Sequence, residues 1–175
     1  MKTTLPDWNR GPTLTDILYQ LVYRAAYPVW RLYLCVAGRR TRGAQVAVWH
    51  GGEVLLIRNS YRDRYSFPGG YRRQGEPAAL TAGRELHEET GIRVAAGELD
   101  FSFAWTYRCG RLEGHDDIYE YHAERPPRLA IDHREVVEAG FFAPVSALQL
   151  ALESHVRDYL ETRTETGTRP HITCC

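Results

Sequence analysis

Residues Gly70–Ile92 read GYRRQGEPAALTAGRELHEETGI, and they contain the most informative helix of the chain. Pro77 suits the first position of a helix, and Gly91 suits the left-handed residue that follows a last helical turn. A helix is therefore predicted between these two residues. The Pro-Gly-Gly run at 68–70 predicts a sharp bend before it.

Three carboxylates of this helix are predicted to share one face. Glu85, Glu88 and Glu89 are spaced i, i+3 and i+4, which places them about one turn apart. Like charges at this spacing destabilise a helix, so cations are expected nearby. Hard oxygen ligands at this density suit Mg²⁺ or Mn²⁺. Gly70 has no Cβ, so its backbone can approach a metal ion or a phosphate closely.

Glu76 and Arg84 form a second pattern within the segment. An arginine fork can hold one carboxylate and thereby tie the loop to the helix. A solvated acidic helix face is the simpler interpretation of the glutamates alone. Seven positions fixed at set spacings favour a functional site instead.

At these residues the sequence resembles the Nudix hydrolase family, whose signature is GX5EX7REUXEEXGU, with U an aliphatic residue. Every fixed position is matched, and Leu86 and Ile92 occupy the aliphatic positions. A weaker resemblance extends over about 44–148. It implies an α/β/α sandwich with a mixed β-sheet, to which this chain adds an N-terminal amphipathic helix.

The activity implied by the resemblance is metal-dependent hydrolysis of a phosphoanhydride bond. The substrate class is a nucleoside diphosphate linked to another moiety, attacked by a metal-activated water. Mg²⁺ or Mn²⁺ is the implied cofactor. Glu85, Glu88 and Glu89 are the implied catalytic residues and metal ligands, and the Gly70 carbonyl is a further candidate ligand. Glu76 and Arg84 are the implied supporting pair. The alternative is a non-catalytic, nucleotide-sensing or regulatory module, although such domains often lose a glutamate that this chain keeps.

Other site candidates lie mostly outside the signature. Arg73 stands where many family members carry an acid, so it is a candidate phosphate contact. The additional substrate contacts considered are Arg58, Trp105 and Tyr107, the last two as surfaces for stacking a base. The additional general bases considered are Glu120, Glu135 and Glu138, each of which could equally be a surface acid.

The remaining sequence predicts one α/β domain. Strands are expected over 44–49, 53–58, 99–107, 117–123 and 137–142, with a hairpin turn at 50–52 and a closing helix over 145–160. In the third strand, alternation predicts that Phe101, Phe103, Trp105 and Tyr107 share one face. The predicted boundaries are a helical extension at 1–40, a Nudix domain at 41–162 and a disordered tail at 163–175.

An amphipathic helix is predicted over Leu14–Ala25, ended or kinked by Pro28 and followed by a basic linker at 38–43. Its apolar stripe requires a partner. The candidates are the domain's own flank, a second copy in a homodimer, and a peripheral lipid surface.

Composition limits the partners and the compartment. Lys+Arg and Asp+Glu are both 22, and this zero net charge argues against nucleic-acid binding by bulk electrostatics. No signal peptide or transmembrane segment is predicted. Cys35 and Cys109 stand apart in the sequence and suggest free thiols in a reducing cytoplasm. Cys174 and Cys175 are expected in a disordered tail, with lipidation or redox chemistry as the alternative.

Overall fold

The computed structural model describes residues 11–166, which form a mixed α/β fold. The helices and strands follow one another in this order: α1 (Leu14–Ala37), β1 (Arg40–His50), β2 (Glu53–Asn59), β3 (Gly69–Tyr71), α2 (Ala78–Thr90), β4 (Asp100–Cys109), β5 (Leu112–His122), β6 (Val136–Phe142), α3 (Pro144–Ala147) and α4 (Ser154–Thr166). A short 3-10 helix, Ala96–Glu98, precedes β4.

The sheet has the strand order β4-β5-β1-β2-β6, and the short strand β3 pairs with β1. Strands β1 and β5 are parallel, whereas the other pairs are antiparallel. The hairpin predicted at 50–52 is confirmed, because His50 pairs with Glu53 across it. The sheet is therefore mixed, as predicted.

Both faces of the sheet are buried, and each face packs against a different helix. On one face Trp49 and Leu56 pack with Val156 and Tyr159 of α4. On the other face the alternate residues of β1 and β2 pack with α2, for example Leu55 with Leu86. The near-continuous apolar run of β2 follows from this double burial. The predicted α/β/α sandwich is confirmed.

The closing helix was predicted as one element over 145–160, and this is wrong. The structure divides it into α3 and α4. Between them the chain pairs with Tyr65, whose N–H donates to the Ala151 carbonyl and whose carbonyl accepts from the Glu153 N–H. This tertiary pairing interrupts the helix. Helix α4 also continues to Thr166, past the predicted domain end at 162; the cysteines at 174–175 lie outside the described residues.

The aromatic residues of β4 do not all share one face. A bulge between Phe101 and Phe103 shifts the register against β5. Phe101 is consequently exposed beside Tyr119, whereas Phe103 is buried against Tyr159. An extra residue in one strand reverses the alternation beyond it, so the prediction fails at Phe101.

Helix α1 is longer than predicted and runs through Pro28. Its ends are defined by a Thr13–Asp16 capping box and by Gly38 in the left-handed conformation. Pro28 is exposed on α1, where water can hydrogen-bond the carbonyl that loses its N–H partner. The basic segment at 38–43 is not a linker, because β1 already begins at Arg40. Within residues 11–166 no helix is long and apolar enough to cross a membrane.

One face of α1 packs on the domain. Arg24 donates to the Ser60 carbonyl at 2.8 Å, and the Tyr27 and Tyr61 rings lie 4.5 Å apart between centroids. Near the start of the helix, buried Asp16 accepts from Arg134 at 3.0 Å. Of the three candidate partners, the domain's own flank contacts this face of α1.

Candidate active site

Helix α2 carries its glutamates over the bend at Gly70. Ala82 and Leu86 are fully buried against the sheet, which fixes the rotation of the helix. A Cβ built on Gly70 would lie 2.7–2.8 Å from the Glu85 carboxylate group. That is closer than a real Cβ approaches, so only glycine lets the carboxylate lie directly on this backbone.

Arg84 is the cation that the crowded glutamates were expected to require. Its Nη1 donates to Glu85 at 2.6 Å and to Glu88 at 3.1 Å. Burial raises the pKa of Glu85, and the hydrogen bond from Arg84 opposes that shift. Glu88 is half exposed, and Arg73 approaches it within 3.7 Å. Arg73 otherwise projects into solvent.

The predicted supporting pair is present. Arg84 donates to both carboxylate oxygens of Glu76, from Nε at 2.9 Å and from Nη2 at 3.0 Å. The backbone N–H of Arg73 adds a bond of 3.0 Å to the same carboxylate. These bonds, led by the one from Arg84, lower the pKa of Glu76 to about 2. One guanidinium therefore connects the loop carboxylate to two carboxylates of α2.

Glu89 is oriented differently from the other two glutamates of α2. Its side chain is buried, and it accepts hydrogen bonds from Asn59 at 3.1 Å and from the Gly69 N–H at 2.8 Å. Burial raises the pKa of Glu89 to about 8, against the effect of these two bonds. The charges of Glu85 and Glu135 raise it further. Glu89 therefore fixes the bend through these two hydrogen bonds.

A cavity of about 540 Å³ opens beside these carboxylates. The carboxylates that line it are Glu85, Glu88, Asp116, Glu135 and Glu153. Trp105 and Tyr107, predicted as substrate contacts, both line it. The residues of α1 that also line it are Tyr27, Trp30, Arg31 and Leu34. The N-terminal helix is thus a wall of the cavity, which sequence reasoning missed.

Of the other residues predicted as site candidates, some line the cavity and some do not. Glu135 lies in the cavity wall and accepts from the Tyr61 hydroxyl at 2.9 Å. Glu120 does not line the cavity, because its carboxylate is buried against Arg163 and Ser102. The remaining two, Arg58 and Glu138, form an ion pair with each other at 3.0 Å and also lie outside. Arg58 and Glu138 lie directly opposite each other on the paired strands β2 and β6, which explains why they form this ion pair.

Arg62 is a second residue that sequence reasoning missed. It lines the cavity, and its guanidinium lies over the rings of Tyr27 and Tyr61, 5.4 and 5.7 Å from their centroids. Its Nε is buried without a hydrogen bond. Within the described part of the chain, no carboxylate lies within 4.0 Å of it. A guanidinium left unpaired in a cavity is suited to an anionic ligand.

The donors present fit a hard divalent cation. Glu85 is a carboxylate whose pKa burial raises, it rests on bare backbone at Gly70, and Glu88 and Glu135 flank the same cavity. Carboxylate oxygens are the ligands that Mg²⁺ and Mn²⁺ prefer. Over residues 11–166, however, no three His, Cys, Asp or Glu side chains are already gathered around one point. The Glu89 carboxylate is turned towards Gly69, so it would have to reorient before it could join Glu85 and Glu88 in such a set.

Comparison with known proteins identifies the family to which this fold belongs. A family model described as the NUDIX domain matches residues 39–171. The chain belongs to the Nudix family. It is a Nudix hydrolase, and its match begins one residue after α1 and its C-terminal cap. A comparison with curated proteins found no match.

Solved Nudix structures share this fold at low sequence identity. A MutT NUDIX hydrolase from Burkholderia pseudomallei is 22% identical, with a TM-score of 0.62 over 70% of this chain and 97% of its own. A MutT protein from Methanosarcina mazei Go1 is 19% identical, with a TM-score of 0.61 over 74% and 96%. The E. coli dihydroneopterin triphosphate pyrophosphohydrolase is 18% identical, with a TM-score of 0.59 over 69% and 92%.

Proposed function

We propose that this Nudix hydrolase cleaves a phosphoanhydride bond in a nucleoside diphosphate linked to another moiety, with Mg²⁺ or Mn²⁺ as cofactor. The observation that carries the proposal is the composition of one cavity. Carboxylates of α2 line it together with aromatic rings and with an arginine whose buried Nε makes no hydrogen bond. Its volume of about 540 Å³ lies in the range of small-molecule sites.

Glu85, Glu88 and Glu89 would hold the cation, with the Gly70 carbonyl as a further ligand. A bound divalent cation would neutralise phosphate charge and lower the pKa of a water molecule. Arg84 keeps Glu85 and Glu88 oriented through its short hydrogen bonds. Its bidentate contact with Glu76 holds the loop and the helix in register.

Glu135 is the candidate base outside the signature that reaches the cavity. Its carboxylate accepts one hydrogen bond from Tyr61, which leaves further lone pairs for a proton from the attacking water. Glu120 and Glu138 are bonded to arginines elsewhere and are not candidates for this role.

Substrate recognition would use the cavity wall opposite the carboxylates. Arg62 and Arg31 offer positive charge to phosphate oxygens, and Tyr27, Trp30 and Trp105 offer rings against which a base can stack. A solved structure of similar fold is that of a C. elegans Ap4A hydrolase, which is 18% identical to this chain with a TM-score of 0.56. This cavity favours the same broad class, a small nucleotide-type molecule.

The test is turnover of a panel of such compounds, read as nucleotide product by chromatography. We expect hydrolysis with Mg²⁺ or Mn²⁺ and none in excess chelator. Glu88→Gln should lower kcat by about 10²-fold or more, because it removes charge from the site with little change in shape. Glu53→Gln, at an exposed hairpin position, is the matched control.

Two results would reject the proposal. Full turnover in excess chelator would show that hydrolysis does not require a divalent metal ion. Tight nucleotide binding without hydrolysis of any compound would favour the regulatory module.

A further inference from the structure

The face of α1 that points away from the domain is apolar along its whole length. Its members, called the outer stripe below, are Leu14, Leu18, Leu21, Val29, Leu32 and Val36. Each is at least 58% exposed, and Leu14 reaches 86%. Because α1 has 24 residues, the outer stripe is about 36 Å long. Monomeric proteins rarely leave so continuous an apolar surface in water.

The charged residues of α1 all lie off the outer stripe. Asp16 is buried and bonded to Arg134, and Arg24 donates to the Ser60 carbonyl. Arg31 lines the catalytic cavity. The fold has therefore used the polar side of the helix for its own packing, and among the described residues the outer stripe stays largely exposed.

A basic cluster lies where α1 ends. It consists of Arg39, Arg40, Arg42, Arg108 and Arg111, all exposed. Within the described residues its only carboxylate partner is Glu113, which Arg40 and Arg108 share at 3.2 and 2.8 Å. Arg39 reaches back to the Tyr33 hydroxyl at 3.4 Å, beside the outer stripe. Positive charge and apolar surface therefore meet at the same end of the helix.

We propose that α1 docks this protein on the surface of an anionic lipid membrane. The outer stripe would enter the interface between headgroups and acyl chains, and the basic cluster would contact the anionic headgroups. Tyr33, about half exposed, has the kind of amphipathic ring that concentrates at that depth. The helix lies on the membrane and does not cross it, in keeping with its hydropathy.

A second copy of the chain fits this surface less well. Protein interfaces carry about one hydrogen bond per 100–200 Å² and use polar groups to fix the register of paired helices. The outer stripe has no charged or hydrogen-bonding side chain for either purpose. A lipid surface requires no register, and its anionic headgroups match the basic cluster.

The proposal is tested by co-sedimentation of the full chain with lipid vesicles. We expect binding to vesicles of equal parts phosphatidylcholine and phosphatidylglycerol, and weaker binding to pure phosphatidylcholine. The double substitution Leu18→Glu with Leu32→Glu should lower the partition coefficient about tenfold or more, given what burial of each leucine contributes. Leu80→Glu with Val145→Glu is the matched control, since both residues are similarly exposed elsewhere.

A third variant separates charge from apolar burial. Arg39→Glu with Arg111→Glu should remove the preference for phosphatidylglycerol and leave the weaker binding intact. Circular dichroism should show unchanged helix content in all variants, because every substituted side chain is exposed. Light scattering on the purified protein in lipid-free buffer gives its oligomeric state in the absence of lipid.

Two outcomes overturn the proposal. The first is no binding to either kind of vesicle. The second is a soluble dimer that Leu18→Glu with Leu32→Glu converts to a monomer, which would assign the outer stripe to a second copy. Neither outcome depends on hydrolysis, so docking and catalysis are tested separately.

Discussion

Replacing Arg62 by methionine should weaken substrate binding and change stability little. The guanidinium lies in the cavity without a carboxylate within 4.0 Å among the described residues, and its buried Nε makes no hydrogen bond. Its attractions are with the rings of Tyr27 and Tyr61, each worth about 0.5–2 kcal/mol, and with the more distant charge of Glu153. Removing a largely buried charge offsets part of that loss. The expected change in unfolding free energy is about 1 kcal/mol or less.

Substrate binding should respond far more. A hydrogen bond to a charged group contributes about 1.5–3 kcal/mol, and each 1.4 kcal/mol is a factor of ten in affinity. We therefore expect KM to rise about 10- to 150-fold in Arg62→Met. Arg62→Lys should recover part of this loss, because it restores a point charge without the fork geometry. Steady-state kinetics and urea denaturation measure the two effects.

Arg163→Met is the matched control, because this arginine is also partly buried but binds the buried carboxylate of Glu120. Removing one member of a buried pair costs about 3–5 kcal/mol, so this variant should lose stability and keep its KM. If Arg62→Met instead lost as much stability as Arg163→Met and kept a normal KM, Arg62 would be a structural residue. The assignment of the cavity's anion contact would then be refuted.

Three further predictions concern single contacts. Glu76→Gln should lower kcat less than Glu88→Gln, since it weakens a brace; equal losses at unchanged metal affinity would contradict this. Burial raises the pKa of Glu120, but its hydrogen bonds from arginine and serine outweigh burial and lower it. The stabilisation from the Glu120 carboxylate is therefore present above the ordinary glutamate pKa and is lost as pH falls through its lowered pKa in the folded state. Glu120→Gln should accordingly reduce the fall in unfolding free energy at acid pH, measured by urea denaturation over a pH series. Cys35 and Cys109 have Sγ atoms 3.0 Å apart, so hydrogen peroxide should oxidise both thiols to one disulfide with release of water; mass spectrometry after oxidation checks this, and intact thiols would contradict it.

Local signals in the sequence predicted the parts of the site that depend on local geometry. Helical spacing brought Glu85 and Glu88 to one face, and the Gly70 bend was required by the close approach of Glu85. The pairing of Glu76 with Arg84 follows from their short separation, because Glu76 lies just before α2 and Arg84 lies eight positions later within it. In each case the interacting residues are near in sequence, so spacing alone limits the distance between them.

The remaining features depend on tertiary contacts that spacing does not encode. Glu120, Glu135 and Glu138 are chemically alike in sequence, yet only Glu135 reaches the cavity. Their partners come from other elements of the fold. Cys35 and Cys109 likewise meet although 74 positions separate them. The adjacent tyrosine and arginine at 61–62, a few residues before the bend, were the available hint of the anion contact.

Helix α1 changes what can be inferred from the signature. The family match begins at residue 39, after the helix, yet Tyr27, Trp30 and Arg31 form one wall of the cavity. The carboxylates that we propose as cation ligands thus lie inside the family match, whereas part of the cavity wall belongs to an element outside it. On the proposed function, the signature would specify the reaction, and α1 would contribute to the choice of substrate. The same helix presents the outer stripe on its opposite face, so any force that shifts α1 also moves the cavity wall.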